Sequence, residues 1–375
     1  MKIFIKKILR YLIGKKLLNK IFYENVPILK SKDFKKWWVS YRNKRDIDDD
    51  LKLMVNDFIL TNNFNNYSPL WNALAKYHIK LLNEKGIDNF KQTIEKHHYW
   101  GEGTVNSQLL KPIYDDRILI SYENSELSKK HDFCEIEESK EYNKSNLILL
   151  NYLINNNYQK YLDKLSESSF GNPILFNYKN KSYSFGLLNS ILEIDTLEKN
   201  INLNEFNSVL EVGAGSGRTC SSLLKLRDNL NYTIVDVPPA LFISQSNLIN
   251  IFKNKKIFKY RYFNNFTDIE KDFISSDIKF LSPDQLKFIP EKFFDLSIAI
   301  DCLHEMKKIQ VEWYFDEFDR LSKNLFFKCQ NIQWAIFEKN KYNIDNYPVK
   351  NNWSKIVHEK CYIPNGYFQA IYKIN

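Results

Sequence analysis

The sequence predicts an α/β protein: a doubly wound sheet, mostly parallel with its last strand antiparallel, preceded by a mainly helical N-terminal domain. Three observations predict it. First, Ser208-Val209-Leu210-Glu211-Val212 is a short apolar run of buried-strand type. It passes directly into Gly213-Ala214-Gly215-Ser216-Gly217 and a helix-like segment, Thr219 to Leu226. Second, further β-type runs alternate with helical ones beyond it, as parallel strands with helical crossovers require. Third, the C-terminal Tyr367-Phe368-Gln369-Ala370-Ile371-Tyr372 alternates in the manner of an antiparallel strand.

A chain of 375 residues with 44% hydrophobic content can bury a sizeable core and accommodates more than one domain. We divide it into a basic helix (1–25), a mainly helical substrate or lid domain (26–165) and the α/β domain (166–375). The formal charge of +9 raises the question of nucleic acid or membrane partners. Much of that excess lies in the first twenty residues, so no nucleic-acid partner is expected. Five cysteines, an odd number with no C-x-x-C pair, support neither a disulfide framework nor a zinc site. They favour a reducing, cytoplasmic setting, and no metal is expected.

Taken in order, residues 1–22 place Phe4, Ile5, Ile8, Leu9, Leu12 and Ile13 at helical spacing among seven Lys and Arg. The lysines interrupt any secretory apolar core, and the stretch is too charged to span a bilayer. It reads either as a helix lying on the anionic inner-membrane surface or as a helix packed on the N-terminal domain. Ser68-Pro69 is a helix start, with a capping serine before a proline of the first turn. His97-His98-Tyr99-Trp100-Gly101-Glu102-Gly103 combines aromatics, histidines and an acid between glycines. It reads as a substrate-binding lid, with His97, His98, Trp100 and Glu102 as candidates, or as a helix end held by packed aromatics. Adjacent histidines on a helix would point about 100° apart, which is poor geometry for a shared metal.

Phe170-Gly171-Asn172-Pro173 marks a turn, and Tyr183 to Leu197 a helix leading into the glycine-turn strand. Glycine at 213, 215 and 217 lets backbone approach a ligand, since no Cβ intervenes. A dinucleotide fingerprint would put its third glycine where Arg218 stands. Tyr232-Thr233-Ile234-Val235 is the next strand, ending at Asp236, and Pro238-Pro239 starts a helix through Ala240 to Ile251. Lys279-Phe280-Leu281 reads as a third strand, ending near Asp284 and Gln285. Phe294 to Ile300 is a fourth strand, with Asp301-Cys302-Leu303-His304-Glu305-Met306 at its carboxyl end, where open α/β sheets bind ligands. Leu325 to Gln330 is a fifth.

The strand, acidic residue and glycine turn resemble the first motif of class I S-adenosylmethionine (AdoMet) methyltransferases, whose sheet is Rossmann-like. The resemblance implies that Gly213, Gly215, Gly217 and Arg218 lie against the amino-acid part of the cofactor. It also implies that Glu211 holds the turn or the amino group. By the same resemblance Asp236 accepts hydrogen bonds from the ribose hydroxyls, and Asp284 or Gln285 reaches the adenine, a helix cap being the alternative for that pair. Asp301 fixes its loop or contacts the amino group. The alternative is a doubly wound domain holding another nucleotide.

Leu210 to Thr219, Ile234-Val235-Asp236-Val237-Pro238-Pro239-Ala240-Leu241 and Leu303-His304-Glu305-Met306 together resemble the sugar O-methyltransferases of bacterial capsule and O-antigen (lipopolysaccharide) clusters. Ser216 departs from that likeness, since an aromatic is expected there in many relatives. The resemblance implies methyl transfer to a sugar hydroxyl on a sugar, nucleotide-sugar or lipid-linked glycan acceptor. His304 is the expected base, because an imidazole accepts protons near neutrality. Glu305 would orient the imidazole or hold the hydroxyl, and the bland reading makes His304 only a helix cap. Methylation of a non-sugar small molecule and a non-catalytic module are the competing functions.

Overall fold

The computed structural model describes residues 29–61, 67–95, 113–129, 140–330 and 342–375. The basic helix expected at 1–22 lies outside the described residues, as do His97, His98, Trp100 and Glu102.

Helices come first: α1 (Ser31–Arg42), α2 (Asp49–Phe58), α3 (Pro69–Lys85), α4 (Asp116–Glu123), α5 (Lys140–Asn155) and the short α6 (Gln159–Leu162). Ser68 starts α3 as expected, its Oγ accepting from the Leu70 N–H with Pro69 in the first turn. Lys91–Glu95 then forms one turn of π-helix. A small hairpin, β1 (Phe176–Tyr178) and β2 (Lys181–Tyr183), precedes α7 (Phe185–Asn200). That helix begins two residues later than the apolar pattern suggests, because Ser184 caps it by accepting from the Leu187 N–H.

The rest alternates strand and helix: β3 (Ser208–Val212), α8 (Arg218–Leu226), β4 (Asn231–Val235), α9 (Ala240–Ile251), β5 (Ile257–Phe258), α10 (Glu270–Ile274), β6 (Ile278–Leu281), β7 (Leu296–Ile300), α11 (Lys308–Leu321), β8 (Asn324–Gln330), β9 (Ser354–Lys360) and β10 (Tyr367–Lys373). The eight strands from β3 onward form one sheet in the order β5-β6-β4-β3-β7-β8-β10-β9. All neighbours are parallel except β10, which runs antiparallel to both β8 and β9. This is a Rossmann-like sheet, mostly parallel with its last strand antiparallel, as the sequence predicts. The order reverses at β3, where the chain first crosses to β4 and later returns to pair β7 on the other side.

Alternation along the strands separates two apolar clusters, one for each face. Val209, Ile234, Phe280, Ile298 and Phe326 belong to one, which continues without a break into Trp38, Val55, Ile79 and Leu149 of the N-terminal helices. Leu210, Val212, Val235, Leu281, Ala299 and Phe327 belong to the other, packed on Val311, Phe315 and Phe318 of α11. The strands are therefore buried on both faces, which is why they read as continuous apolar runs. β9 has no such signature. It is an edge strand with only Val357 buried, and its exposed Lys355, Glu359 and Lys360 protect the sheet against pairing with other chains.

Candidate functional site

Parallel strands end on one side of the sheet, and at the order reversal the loops beyond β3 and β7 diverge. There a cavity of about 160 Å³ opens between the glycine turn, Asp236 after β4, and the Asp301–Met306 segment after β7. Tyr67, just before α3, and Trp71 and Leu74, in its first two turns, complete its wall.

The glycine turn has φ of 71° at Gly213, 60° at Gly215 and 80° at Gly217, all in the left-handed region. Space also selects glycine. A Cβ on Gly213 would lie 2.5 Å from the Cβ of Cys302, and one on Gly217 would lie 2.9 Å from Leu248 Cδ1. The turn is pinned to its neighbours at several points. Gly213 donates to the Val235 carbonyl at 2.9 Å, Gly215 donates to Asp236 Oδ2 at 2.9 Å, and Asn247 Nδ2 donates to the Ser216 carbonyl at 2.7 Å.

Glu211 lines the cavity at the end of β3, with its Oε2 accepting from Tyr232 Oη at 2.8 Å. Burial pushes its carboxyl up to about 7, although hydrogen bonds from Tyr232 and Thr219 pull the other way. Asp236 also reaches about 7 through burial, despite two backbone N–H donors, Gly215 and Val237. Arg218 borders the cavity, but its guanidinium forks onto Glu193 at 2.6 and 3.1 Å and onto Ser190 at 2.6 Å. Glu193 also accepts from the buried Lys328 at 3.1 Å.

At the end of β7, Asp301 sits at φ 57°, a strained setting for a residue with a side chain. Its Oδ1 accepts from Tyr367 Oη at 2.9 Å, and Tyr367 accepts in turn from Gln330 Nε2 at 2.7 Å. Burial pushes Asp301 up to about 7. Glu305 lines the same wall, and burial followed by the nearby Asp301 and Asp236 carboxyls holds it well above the usual carboxylate range.

His304 requires correction. In the turn Leu303–Glu305 the Glu305 side chain faces the cavity while the imidazole points inward, with its side chain 2% exposed against 20% for Asp301. Its Nε2 is 3.5 Å from Asp301 Oδ1, too long for a hydrogen bond, and its ring meets Tyr367 edge-on. Burial pulls its pKa down to about 3. So placed, the imidazole is not among the side chains that line the cavity. Nor does it cap α11, since Gln310 Oε1 accepts from the Lys307 N–H there.

Asp284 and Gln285 also differ from expectation. They border a second cavity beside Asp57, Tyr260, Tyr262 and Phe288 instead of the first. Gln285 caps its own turn, with Oε1 accepting from the Ser282 N–H and Nε2 donating to the Arg261 carbonyl. Of the two readings open for this pair, Gln285 follows the capping one.

Several contributors carried no sequence signal. Tyr67 and Trp71 come from far upstream, Tyr314 and Gln310 come from α11, and Tyr367 comes from the last strand. Among the described residues no group of three or more His, Cys, Asp or Glu side chains could hold a metal ion, and no helix is long and apolar enough to cross a membrane.

The sequence matches no protein-family profile and no curated protein. Solved structures resemble it distantly. One is the PH0226 protein from Pyrococcus horikoshii OT3, with 16% identity and a TM-score of 0.31 over 49% of this chain and 90% of that one. Another is the mitomycin 7-O-methyltransferase MmcR, with 10% identity and a TM-score of 0.32 over 50% of this chain and 57% of that one. A third is PigF, solved with SAH, with 9% identity and a TM-score of 0.30 over 47% of this chain and 53% of that one. The chain spans 42% of the StiE O-MT segment, less than half its length. Likenesses this distant carry no argument about the reaction.

Proposed function

We propose that the cavity binds AdoMet and that the protein is an O-methyltransferase acting on a sugar hydroxyl in bacterial surface-polysaccharide synthesis, at the cytoplasmic side of the inner membrane. The observation that carries the cofactor reading is charge. In a chain of net charge +9, the described residues lining the cavity include four carboxyls, Glu211, Asp236, Asp301 and Glu305, and one cation, Arg218, which is engaged by Glu193. Such a site suits a cationic ligand bearing a diol and an ammonium group. The glycine turn supports this fit, since it lines the cavity and glycine is required at Gly213, where a Cβ would collide with Cys302.

When bound, AdoMet supplies an electrophilic methyl group on a sulfonium. The chain's own residues do the rest. Asp236, at the tip of β4, is the acceptor for ribose hydroxyls. Glu211, with the N–H groups of the turn, holds the amino-acid end. Asp301 takes the proton from the acceptor hydroxyl. Its pKa of about 7 suits a base working near neutrality, and Tyr367 fixes its orientation. Glu305 hydrogen-bonds the same hydroxyl. Tyr67 and Trp71 exclude water and offer aromatic faces to the acceptor.

The sugar assignment is supported by the sequence resemblance of the three motifs around Glu211, Asp236 and Glu305. It is tested by incubating the full chain with methyl-labelled AdoMet and a panel of nucleotide sugars, lipid-linked glycans and phenols. Label in a sugar ether supports it. Label only in phenols would replace the sugar by another small molecule, and label in none would remove the enzymatic reading.

A further inference from the structure

We infer that Glu95, in the helical region outside the α/β domain, is a positioning residue for the cofactor-binding glycine turn. The inference rests on the reading of the cavity as an AdoMet site. The Ser216 hydroxyl, between the second and third glycines, donates to Glu95 Oε1 at 3.1 Å. Ser216 is 3% exposed, so this hydroxyl is satisfied by protein and not by bulk water. The other ties on the turn, from Val235, Asp236 and Asn247, all come from within residues 166–375. Glu95 is the one tie described here that comes from upstream.

Glu95 is itself firmly held. It closes the π-turn Lys91–Glu95, where burial pushes its carboxyl up to about 7 against the pull of the Lys91 charge and the Ser216 hydroxyl. Lys91 Nζ bonds Glu167 Oε1 at 2.9 Å, and Glu167 Oε2 accepts from Ser184 Oγ at 2.6 Å. Ser184 caps α7, and α7 carries Ser190 and Glu193, which grip Arg218 at the first position of α8. The chain of contacts thus leaves the glycine turn at Ser216 and returns to it at Arg218. It passes through the π-turn, the segment before the hairpin, and α7. Both ends of the Ser216-Gly217-Arg218 tripeptide are fixed from outside the turn, which sets the direction of the N–H groups that open α8.

This arrangement accounts for serine at position 216, where the sequence likeness leads one to expect an aromatic ring. A phenyl ring has no donor for the Glu95 carboxyl, whereas the serine hydroxyl supplies one. A turn held in this way is pre-organised, so the ligand does not have to order it on binding.

The test is a calorimetric titration of AdoMet into the full-length wild type, Ser216→Ala, Glu95→Ala, Glu95→Gln and the Ser216→Ala/Glu95→Ala double variant, with steady-state turnover at saturating AdoMet. Ser216→Ala and Glu95→Ala should each weaken binding about tenfold, the scale of one buried hydrogen bond. The double variant should be no weaker than the weaker single, because both remove one shared contact. Glu95→Gln should retain most of the affinity, since its amide oxygen still accepts from Ser216, and the Glu95 variants should show their loss in affinity and not in kcat at saturating AdoMet. Affinities within twofold of wild type, or losses that add in the double variant, would overturn the inference. If Glu95→Ala fails to fold, Ser216→Ala, which removes a single oxygen, and Glu95→Gln decide it. Failure of the wild type to bind AdoMet would overturn the cofactor reading, and this inference with it.

Discussion

Two neighbouring residues, His304 and Glu305, are placed differently by one short turn: Glu305 lines the cavity and the His304 ring is buried. Imidazole is the usual general base near neutrality, yet here burial pulls it to about 3 and turns it from the cavity. The carboxyl of Asp301, ordinarily too acidic for the task, is pushed to about 7 by the same burial. Asp301→Asn is therefore expected to lower kcat at saturating AdoMet by about 10² to 10⁴, the range for loss of a general base, and also to weaken AdoMet binding, since one of the four cavity carboxyls is lost. His304→Asn should lower the melting temperature while leaving the pH profile of turnover in place. Stopped-time assays across pH, beside thermal melts, check both. Loss of the profile's main inflection in the His304 variant would restore imidazole as the base. Side-chain direction within a single turn of 3-10 helix has no periodic signal in sequence, so only the structure separates these neighbours.

At the scale of elements, the strands around the site were legible because parallel strands buried on both faces are apolar throughout, and the helix starts were legible at Ser68 and Pro239. The α9 boundaries, Ala240–Ile251, follow the sequence reading. β9 was not legible, because an edge strand keeps its charged residues and lacks an apolar pattern. The contact between Glu95 and Ser216 spans 121 positions, and no local pattern reports such a pairing. The glycine turn makes the sharpest element-scale prediction. Gly213→Ala places a Cβ 2.5 Å from Cys302 and asks alanine to hold φ near 71°. The left-handed conformation alone costs about 1–2 kcal/mol. The variant is expected to melt earlier and to lose AdoMet binding, read by a thermal-shift series with and without ligand. Retained binding at wild-type affinity would separate the turn from the cofactor.

For the whole molecule, the relevant contrast is between a basic chain and an acid-lined cavity. Glu211, Asp236 and Asp301 each titrate near 7 in the folded protein. Their ordinary values lie near 4, so folding favours the protonated forms. Their contribution to stability is present below about pH 4 and is lost as pH rises through about 7. The ligand-free protein should therefore melt at lower temperature at pH 8 than at pH 5.5. A sulfonium prefers the ionised carboxyls, so AdoMet affinity relative to the uncharged-sulfur product S-adenosylhomocysteine should rise across the same interval. A ratio independent of pH would remove these carboxyls from contact with the donor's charge.

The most direct measurement is a calorimetric titration of AdoMet into the intact chain and its Asp236→Ala variant at pH 7.5. Saturable binding at one site per chain, weakened at least tenfold in the variant, is the expected result. No binding to the wild type, or equal binding to both proteins, would contradict a cofactor seated between the glycine turn and the tip of β4.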